Sequence, residues 1–287
     1  MLKVSPSPTL YYNDRSLNSM RPSYNRDNVF LNEEHRRIFE TTKYIPGWQM
    51  EADSYKLYEL GYYAGDVILE IGTYGGRSAV IELRGALSNP DRLGPPQFFG
   101  VDVDRKSIRR TFYTLNRFGV LENAFLFHGT LYRFVHRYQI SPTMVFMDAN
   151  HRYEDIVEDI RRLTTILPAG VPVLFHDFLN PENDTGEYGV RRAVTEWEND
   201  GYGTFIGAFG CSALFVSGQR CCGNGNSLSR DEFDQSRHRL FRSYKLMEKK
   251  GDKTIIVPEE KRIWSFHDDI SLLSRIKTRI LHMLRPR

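Results

Sequence analysis

The chain has 287 residues, 40% of them hydrophobic and 26% charged, with a formal net charge of +3. That is ordinary globular composition, long enough for one large α/β domain with extensions, and too weakly basic to argue for a nucleic-acid partner. The charge is uneven: beyond Leu228 basic residues outnumber acidic ones by 6, so the part before it is slightly acidic.

In chain order, residues 1–30 are polar, rich in Ser, Pro, Asn and Tyr, and read as an arm without the apolar stretch of a signal peptide. Glu33 to Thr42 reads as a short helix, and Met50 to Tyr63 as a longer one with Tyr55, Leu57, Tyr58 and Leu60 on its apolar face. From Asp66 the rhythm changes to short apolar runs separated by helical stretches. Val67-Ile68-Leu69, Phe98 to Val101, Phe125 to Phe127, Met144 to Met147 and Pro172 to Phe175 read as strands. Ser78 to Ala86, Ile108 to Phe118, Tyr153 to Leu167 and Val190 to Glu198 read as helices. Thr204 to Phe209 and Ala213 to Val216 read as a closing pair of strands. Alternating strands and helices predict a doubly wound, mostly parallel seven-stranded α/β sheet covered on both faces.

In such sheets ligands bind beyond the carboxyl ends of the strands. Four of the five parallel strands run into a polar or acidic residue: Glu70, Asp102, Asp148 and His176-Asp177. One acid there is often only a helix cap or a loop residue, but four together point to chemistry.

The first strand leads into VILEIGTYGGRS, Val67 to Ser78. A dinucleotide fold would carry G-x-G-x-x-G with a pyrophosphate on the helix N-terminus. Here the spacing is Glu70-x-Gly72-x-x-x-Gly76. The glycines remove side chains where backbone passes close to a ligand, and the Glu70 carboxylate suits a cationic amino-acid moiety. Asp102, which closes the second strand, can accept hydrogen bonds from two ribose hydroxyls.

The stretch from Trp48 to Val216 resembles the class I S-adenosylmethionine-dependent methyltransferases. Within them it is similar to the bacterial small-molecule group that includes cephalosporin-hydroxylase-like and macrocin-type O-methyltransferases. The motifs that carry this are VILEIGTYGGRS, GVDVD at Gly100–Asp104, FMDANHRYEDIVEDI at Phe146–Ile160, LPAGVPVLFHDF at Leu167–Phe178 and GVRRAV at Gly189–Val194. The resemblance implies a Rossmann-like methyltransferase fold and S-adenosyl-L-methionine as cofactor. Glu70, Gly72, Thr73, Tyr74, Gly76 and Ser78 would surround its methionine part, Asp102 would hold the ribose, and Gly129 and Thr130 would flank the adenine. Thr130 stands where the family often has an acid.

The resemblance also implies a divalent metal, Mg²⁺ or Mn²⁺, held by Asp148, Asp177 and a neighbour. The neighbour here is His176 where many relatives carry a carboxylate, and an imidazole favours Mn²⁺, Fe²⁺ or Zn²⁺ over Mg²⁺. The bland alternative is that both acids cap the elements that follow. For the proton of a substrate hydroxyl, His151, three residues after Asp148, is the first candidate base and Asp148 the second. His128, His136 and His238 read as structural or solvated. Asn180 to Gly189, rich in Pro, Asn, Asp and Gly, reads as a substrate lid leading to Arg191 and Arg192, or as a solvated helix start.

Three cysteines, Cys211, Cys221 and Cys222, make no disulfide framework and lack the two-pair spacing of a zinc site, which fits a reducing cytoplasm. Cys221 to Asn226 reads as a linker. Phe233 to Lys250 reads as a charged helix, and Asp268-Asp269 would cap a last, basic helix suited to its own domain, a second copy of the chain or an anionic membrane. The expected organisation is an arm with a short helix over 1–47, the methyltransferase domain over 48–218 and a linker with a basic helical extension over 219–287. The expected function is O-methylation of a hydroxyl on a small molecule (sugar, polyketide or other secondary metabolite) by a cytoplasmic homo-oligomer with no nucleic-acid partner. The alternatives are a macromolecular methyltransferase and a non-catalytic cofactor-binding partner in a biosynthetic complex.

Overall fold

The computed structural model describes residues 30–223 and 228–238. The chain divides into two compact units, Met1–Phe241 and Arg242–Arg287, and every described residue belongs to the first. The N-terminal arm up to residue 29 and the last basic helix lie outside the described residues, as does the charged helix beyond residue 238.

Seven strands form one sheet: β1 Val67–Ile71, β2 Gln97–Asp102, β3 Ala124–His128, β4 Met144–Met147, β5 Pro172–Phe175, β6 Gly203–Phe209 and β7 Ser212–Ser217. Their order is β3-β2-β1-β4-β5-β7-β6. The first five are parallel, and β7 runs antiparallel to both β5 and β6. Every residue of β1, β4 and β5 is buried, as expected of strands covered on both faces. The strand order reverses between β1 and β4, so the crevice at their carboxyl ends is the ligand position of the architecture.

The helices are α1 Glu33–Thr42, α2 Glu51–Ala64, α3 Arg77–Leu87, α4 Arg105–Arg117, α5 Leu131–Arg137, α6 Tyr153–Ile166, α7 Glu182–Thr185 and α8 Val190–Asn199. The sequence reading missed α5. Its seven residues are too few for a clear period, but the Thr130 hydroxyl accepts the Arg133 N–H as an N-cap while Leu131 and Phe134 are buried. It also missed α7, inside the segment read as a lid, and a 3₁₀ turn at Leu121–Asn123.

Helix α2 has more than one buried face. A Cβ on Gly61 would fall 2.2 Å from the Glu82 carbonyl oxygen, so α2 and α3 cross with their backbones in contact. On the other side of the helix Lys56 and Glu59 are buried and paired at 2.8 Å, with the ammonium 4.3 Å from the ring centroid of Phe209 in β6. Helix α1, placed outside the expected domain, packs on α2: His35 stacks on Tyr58 at 4.8 Å and 7°. The described part of the C-terminal extension is also built in. Cys222 and Gly223 donate backbone hydrogen bonds to Thr164 and Leu167, and Phe233 in the helical residues 230–238 meets Phe99 edge-on at 5.2 Å.

Candidate active site

After β1 the backbone turns through left-handed conformations at Gly72, Tyr74 and Gly76, with φ of 90°, 41° and 79°. The Gly72 N–H donates to the Val101 carbonyl at 2.8 Å. A Cβ on Gly72 would lie 1.9 Å from the Asp148 carbonyl oxygen. The first motif glycine therefore lets the loop after β1 touch the loop after β4, which brings the expected cofactor loop against the expected catalytic residues.

Glu70 is fully buried, and one of its carboxylate oxygens accepts from the Ser78 hydroxyl. Its other oxygen, Oε2, has no hydrogen-bond partner. Burial pushes the Glu70 carboxyl well above the usual range; the Ser78 bond opposes this, and Asp148 and Asp102 add to it. A buried acid with an orphaned oxygen fits a ligand that brings a cation or a bridging water.

Asp102 at the end of β2 is aimed back at the same loop. Its Oδ2 accepts from the Thr73 and Tyr74 amides at 2.9 and 3.1 Å and from the Thr73 hydroxyl at 3.3 Å. Its Oδ1 accepts only the Asp104 amide, at 2.8 Å, which leaves a lone pair for a ribose hydroxyl. Gly129 donates its N–H to the Asp102 carbonyl at 2.9 Å, so Gly129 and Thr130 border the same strand end.

Two carboxylates and two imidazoles meet at the ends of β4 and β5. Asp148, His151 and Asp177 present ligand atoms that all lie within 4.8 Å of one another. His151 Nε2 is 2.8 Å from Asp177 Oδ2. His176, only 3% exposed, sits under this group with Nδ1 3.2 Å from Asp148 Oδ1 and 3.0 Å from Asp177 Oδ2. The structure thus brings together all four residues singled out for metal and proton chemistry, with His151 rather than His176 completing the converging triad.

Asp177 has a φ of 55°, which aims its side chain back into the group. Burial alone would raise its pKa, but the His151 and His176 imidazoles beside it hold the carboxyl well below the usual range. Burial alone would lower the His176 pKa, but Asp148, Asp177 and Asp53 raise it well above the ordinary value.

Three further residues complete the site and were not singled out from sequence. Gln49, just before α2, donates its side-chain amide to Asp148 Oδ2 at 3.4 Å. Tyr188, in the segment read as a lid, stacks on His151. Asp53 in α2 accepts from the Cys211 and Ser212 amides at 3.1 Å each and from the Ser212 hydroxyl at 2.7 Å, tying the β6–β7 turn to the floor of the site. Only Tyr188 had a signal in sequence, its place beside the GVRRAV motif. Arg191 donates to Asp184 at 2.6 Å and Arg192 to Glu196 at 2.9 Å, so both arginines are engaged locally. His128 faces the Val103 carbonyl at 3.1 Å and His136 the Tyr132 carbonyl at 2.8 Å, away from the cluster.

Residues 69–178 match a methyltransferase-domain family, Methyltransf_24. No curated protein sequence matches the chain. Among solved structures, the chain is similar to an SAH-bound methyltransferase from Podospora anserina, with a TM-score of 0.52 and 14% identity over 66% of this chain and 89% of that one. It is also similar to an O-methyltransferase from Bacillus cereus in complex with SAH, with a TM-score of 0.50 and 15% identity over 65% of this chain and 91% of that one. Residues 69–178 thus match a methyltransferase domain, and the fold that carries them is the one these solved methyltransferase structures share.

Proposed function

We propose that the chain transfers a methyl group from S-adenosylmethionine to a hydroxyl oxygen of a small molecule. The observation that carries this is the backbone contact between Gly72 and Asp148, because it joins the expected cofactor loop to a cluster suited to deprotonating and orienting a hydroxyl. Methyl transfer is an in-line displacement, so the protein mainly supplies alignment and one deprotonation. Glu70 and the loop from Gly72 to Ser78 would hold the amino-acid end of the cofactor, Asp102 its ribose, and Gly129 and Thr130 its adenine.

The donor set of two carboxylates and one imidazole fits a divalent cation such as Mn²⁺, and Asp148, His151 and Asp177 would hold it. Bound there, it would acidify a substrate hydroxyl. His176, behind both carboxylates, fixes their positions. Without an ion, His151 would be the base, with Nε2 2.8 Å from the Asp177 carboxylate that would stabilise the imidazolium once the hydroxyl proton is taken.

The acceptor is read as a small molecule because a formal net charge of +3 gives the chain no strong general attraction for a nucleic acid. No described helix is long and apolar enough to cross a membrane. The three unpaired cysteines fit a cytoplasmic setting, and self-association of the chain completes the proposal. A panel of phenols, sugars and polyketides incubated with the full chain and labelled S-adenosylmethionine tests the reading. Label should appear on oxygen in at least one hydroxylated acceptor; labelling of RNA or protein alone would overturn it.

A further inference from the structure

Gln49 reverses the ordinary sorting of side chains. In the link between α1 and α2, Trp48 is 82% exposed and Met50 57%, while the glutamine between them is 6% exposed. Turning an amide inward and leaving two large apolar side chains outside forgoes apolar burial, so an interaction must offset it. The link is wedged against the far side of the site. A Cβ on Gly75 would lie 2.5 Å from the Pro46 carbonyl oxygen, and the Gly47 carbonyl accepts from Arg77 at 3.4 Å. Gly47 makes room for the amide, because a Cβ there would lie 2.6 Å from Gln49 Oε1.

What the amide meets is Asp148, with Nε2 donating to Oδ2 at 3.4 Å. A carboxylate accepts only from the nitrogen end of an amide, so Asp148 dictates which way Gln49 faces. Oε1 is turned away towards Gly47, buried and without a hydrogen-bond partner. A glutamine present only to fill space would not leave that oxygen orphaned. The other Asp148 oxygen, Oδ1, lies 3.2 Å from His176 Nδ1, but Asp177 Oδ2 lies 3.0 Å from the same nitrogen. One N–H cannot be aimed at two carboxylates, so His176 alone does not fix the rotation of Asp148. Gln49 supplies a donor to the oxygen that His176 leaves. Its bond is long, so it steers the carboxylate more than it binds it.

We propose that Gln49 is a positioning residue for methyl transfer, holding the Asp148 carboxylate in the orientation that it shares with His151 and Asp177. The proposal rests on the methyltransferase reading, in which Asp148 meets the acceptor hydroxyl directly or through a cation. A carboxylate turns easily about its last bond, and each turn moves the oxygen that faces the hydroxyl. A donor on Oδ2 removes that freedom before a ligand arrives.

Two measurements on the full chain test it. The first needs no ligand: a double-mutant cycle of Gln49→Met and Asp148→Ala, read by urea unfolding. The two substitutions should be coupled by about 5-fold in the unfolding equilibrium constant, the scale of one hydrogen bond. The second is steady-state kinetics on an acceptor found by the panel. Gln49→Met should lower kcat about 10-fold with the Kd for S-adenosylhomocysteine unchanged. Gly47→Ala, which drives a methyl into the amide, should lower kcat similarly and add nothing to Gln49→Met. Gln49→Glu gives the signature that space-filling alone would not. Its carboxyl repels Asp148 when ionised and donates to it when protonated, so kcat relative to the wild type should rise several-fold as the pH falls from about 8 to about 6. It also decides the matter should Gln49→Met fail to fold. Coupling with no labelled acceptor sinks the methyltransferase reading and upholds the bond between Gln49 and Asp148. Coupling below about 2-fold, or Met and Glu variants with the wild-type kcat at every pH, would overturn the proposal.

Discussion

His151 lies flat on Tyr188, with ring centroids 4.2 Å apart and planes 2° from parallel, while its Nε2 stands 2.8 Å from Asp177. One contact fixes the plane of the imidazole and the other fixes its direction within that plane. The Gly189 N–H adds a third restraint by donating to the His151 carbonyl at 2.7 Å. A base that must meet a hydroxyl in one geometry needs such a frame.

Tyr188→Leu should therefore lower kcat about 10-fold through the lost stacking, with the Kd for S-adenosylhomocysteine unchanged. Tyr188→Phe should retain wild-type kcat. Steady-state kinetics on an acceptor found by the panel decides it, and a fully active Leu variant would show that the stacking positions nothing.

Gly72→Ala should destabilise the fold by about 3 kcal/mol, because the new methyl meets the Asp148 carbonyl and φ is positive. Denaturant titration measures the loss. An unfolding midpoint within error of the wild type would mean that the two loops separate at little cost.

His35 sets a pH dependence remote from the site. Its Nδ1 accepts the Leu31 N–H at 3.1 Å, so Nε2 must carry the proton that faces the Tyr55 carbonyl at 2.9 Å, and the ring is neutral. Burial, with a smaller contribution from Lys56, lowers its pKa to about 4. The unfolded chain binds this proton near pH 6.5, so the stability is present above that pH and is lost as the pH falls towards 4. Urea unfolding should show a loss of up to about 3 kcal/mol over this window, and His35→Phe should flatten that part of the curve. An unchanged slope in the variant would contradict the assignment.

The strands and their polar ends were legible because their signal is local. β1, β2, β4 and β5 are short apolar runs, and Glu70, Asp102, Asp148 and Asp177 stand at or just beyond their ends. The pairing of β4 with β5 follows from the architecture, so Asp148 and Asp177 could be placed side by side in advance. What the sequence withheld depends on tertiary convergence. Lys56 and Glu59 look like solvated residues of an amphipathic helix until the fold sets that side of α2 against Phe209 of β6. Gln49, Asp53 and Arg77 carry no motif that announces their neighbours. His151 joins Asp148 and Asp177 in one converging group, and Asp177 Oδ2 lies beside both imidazoles, 2.8 Å from His151 and 3.0 Å from His176.

If Asp148, His151 and Asp177 share a cation, exhaustive chelation should stop turnover and leave S-adenosylhomocysteine binding intact. Asp177→Asn should weaken metal and activity together, by 100-fold or more, on the order seen when a ligand is lost. Asparagine tolerates the left-handed backbone at this position, so thermal unfolding should remain cooperative. Undiminished turnover after chelation would leave the proton chemistry to His151 alone.

In the proposed function the loop after β1 and Asp102 together bind S-adenosylmethionine. Calorimetric titration of S-adenosylhomocysteine into the wild type and Asp102→Ala tests it most directly. Micromolar-range binding to the wild type, abolished in the variant, is the expected result, because Asp102 holds the Thr73 and Tyr74 amides and would offer its remaining lone pair to the ribose. Tight binding of NAD with none of S-adenosylhomocysteine would contradict it.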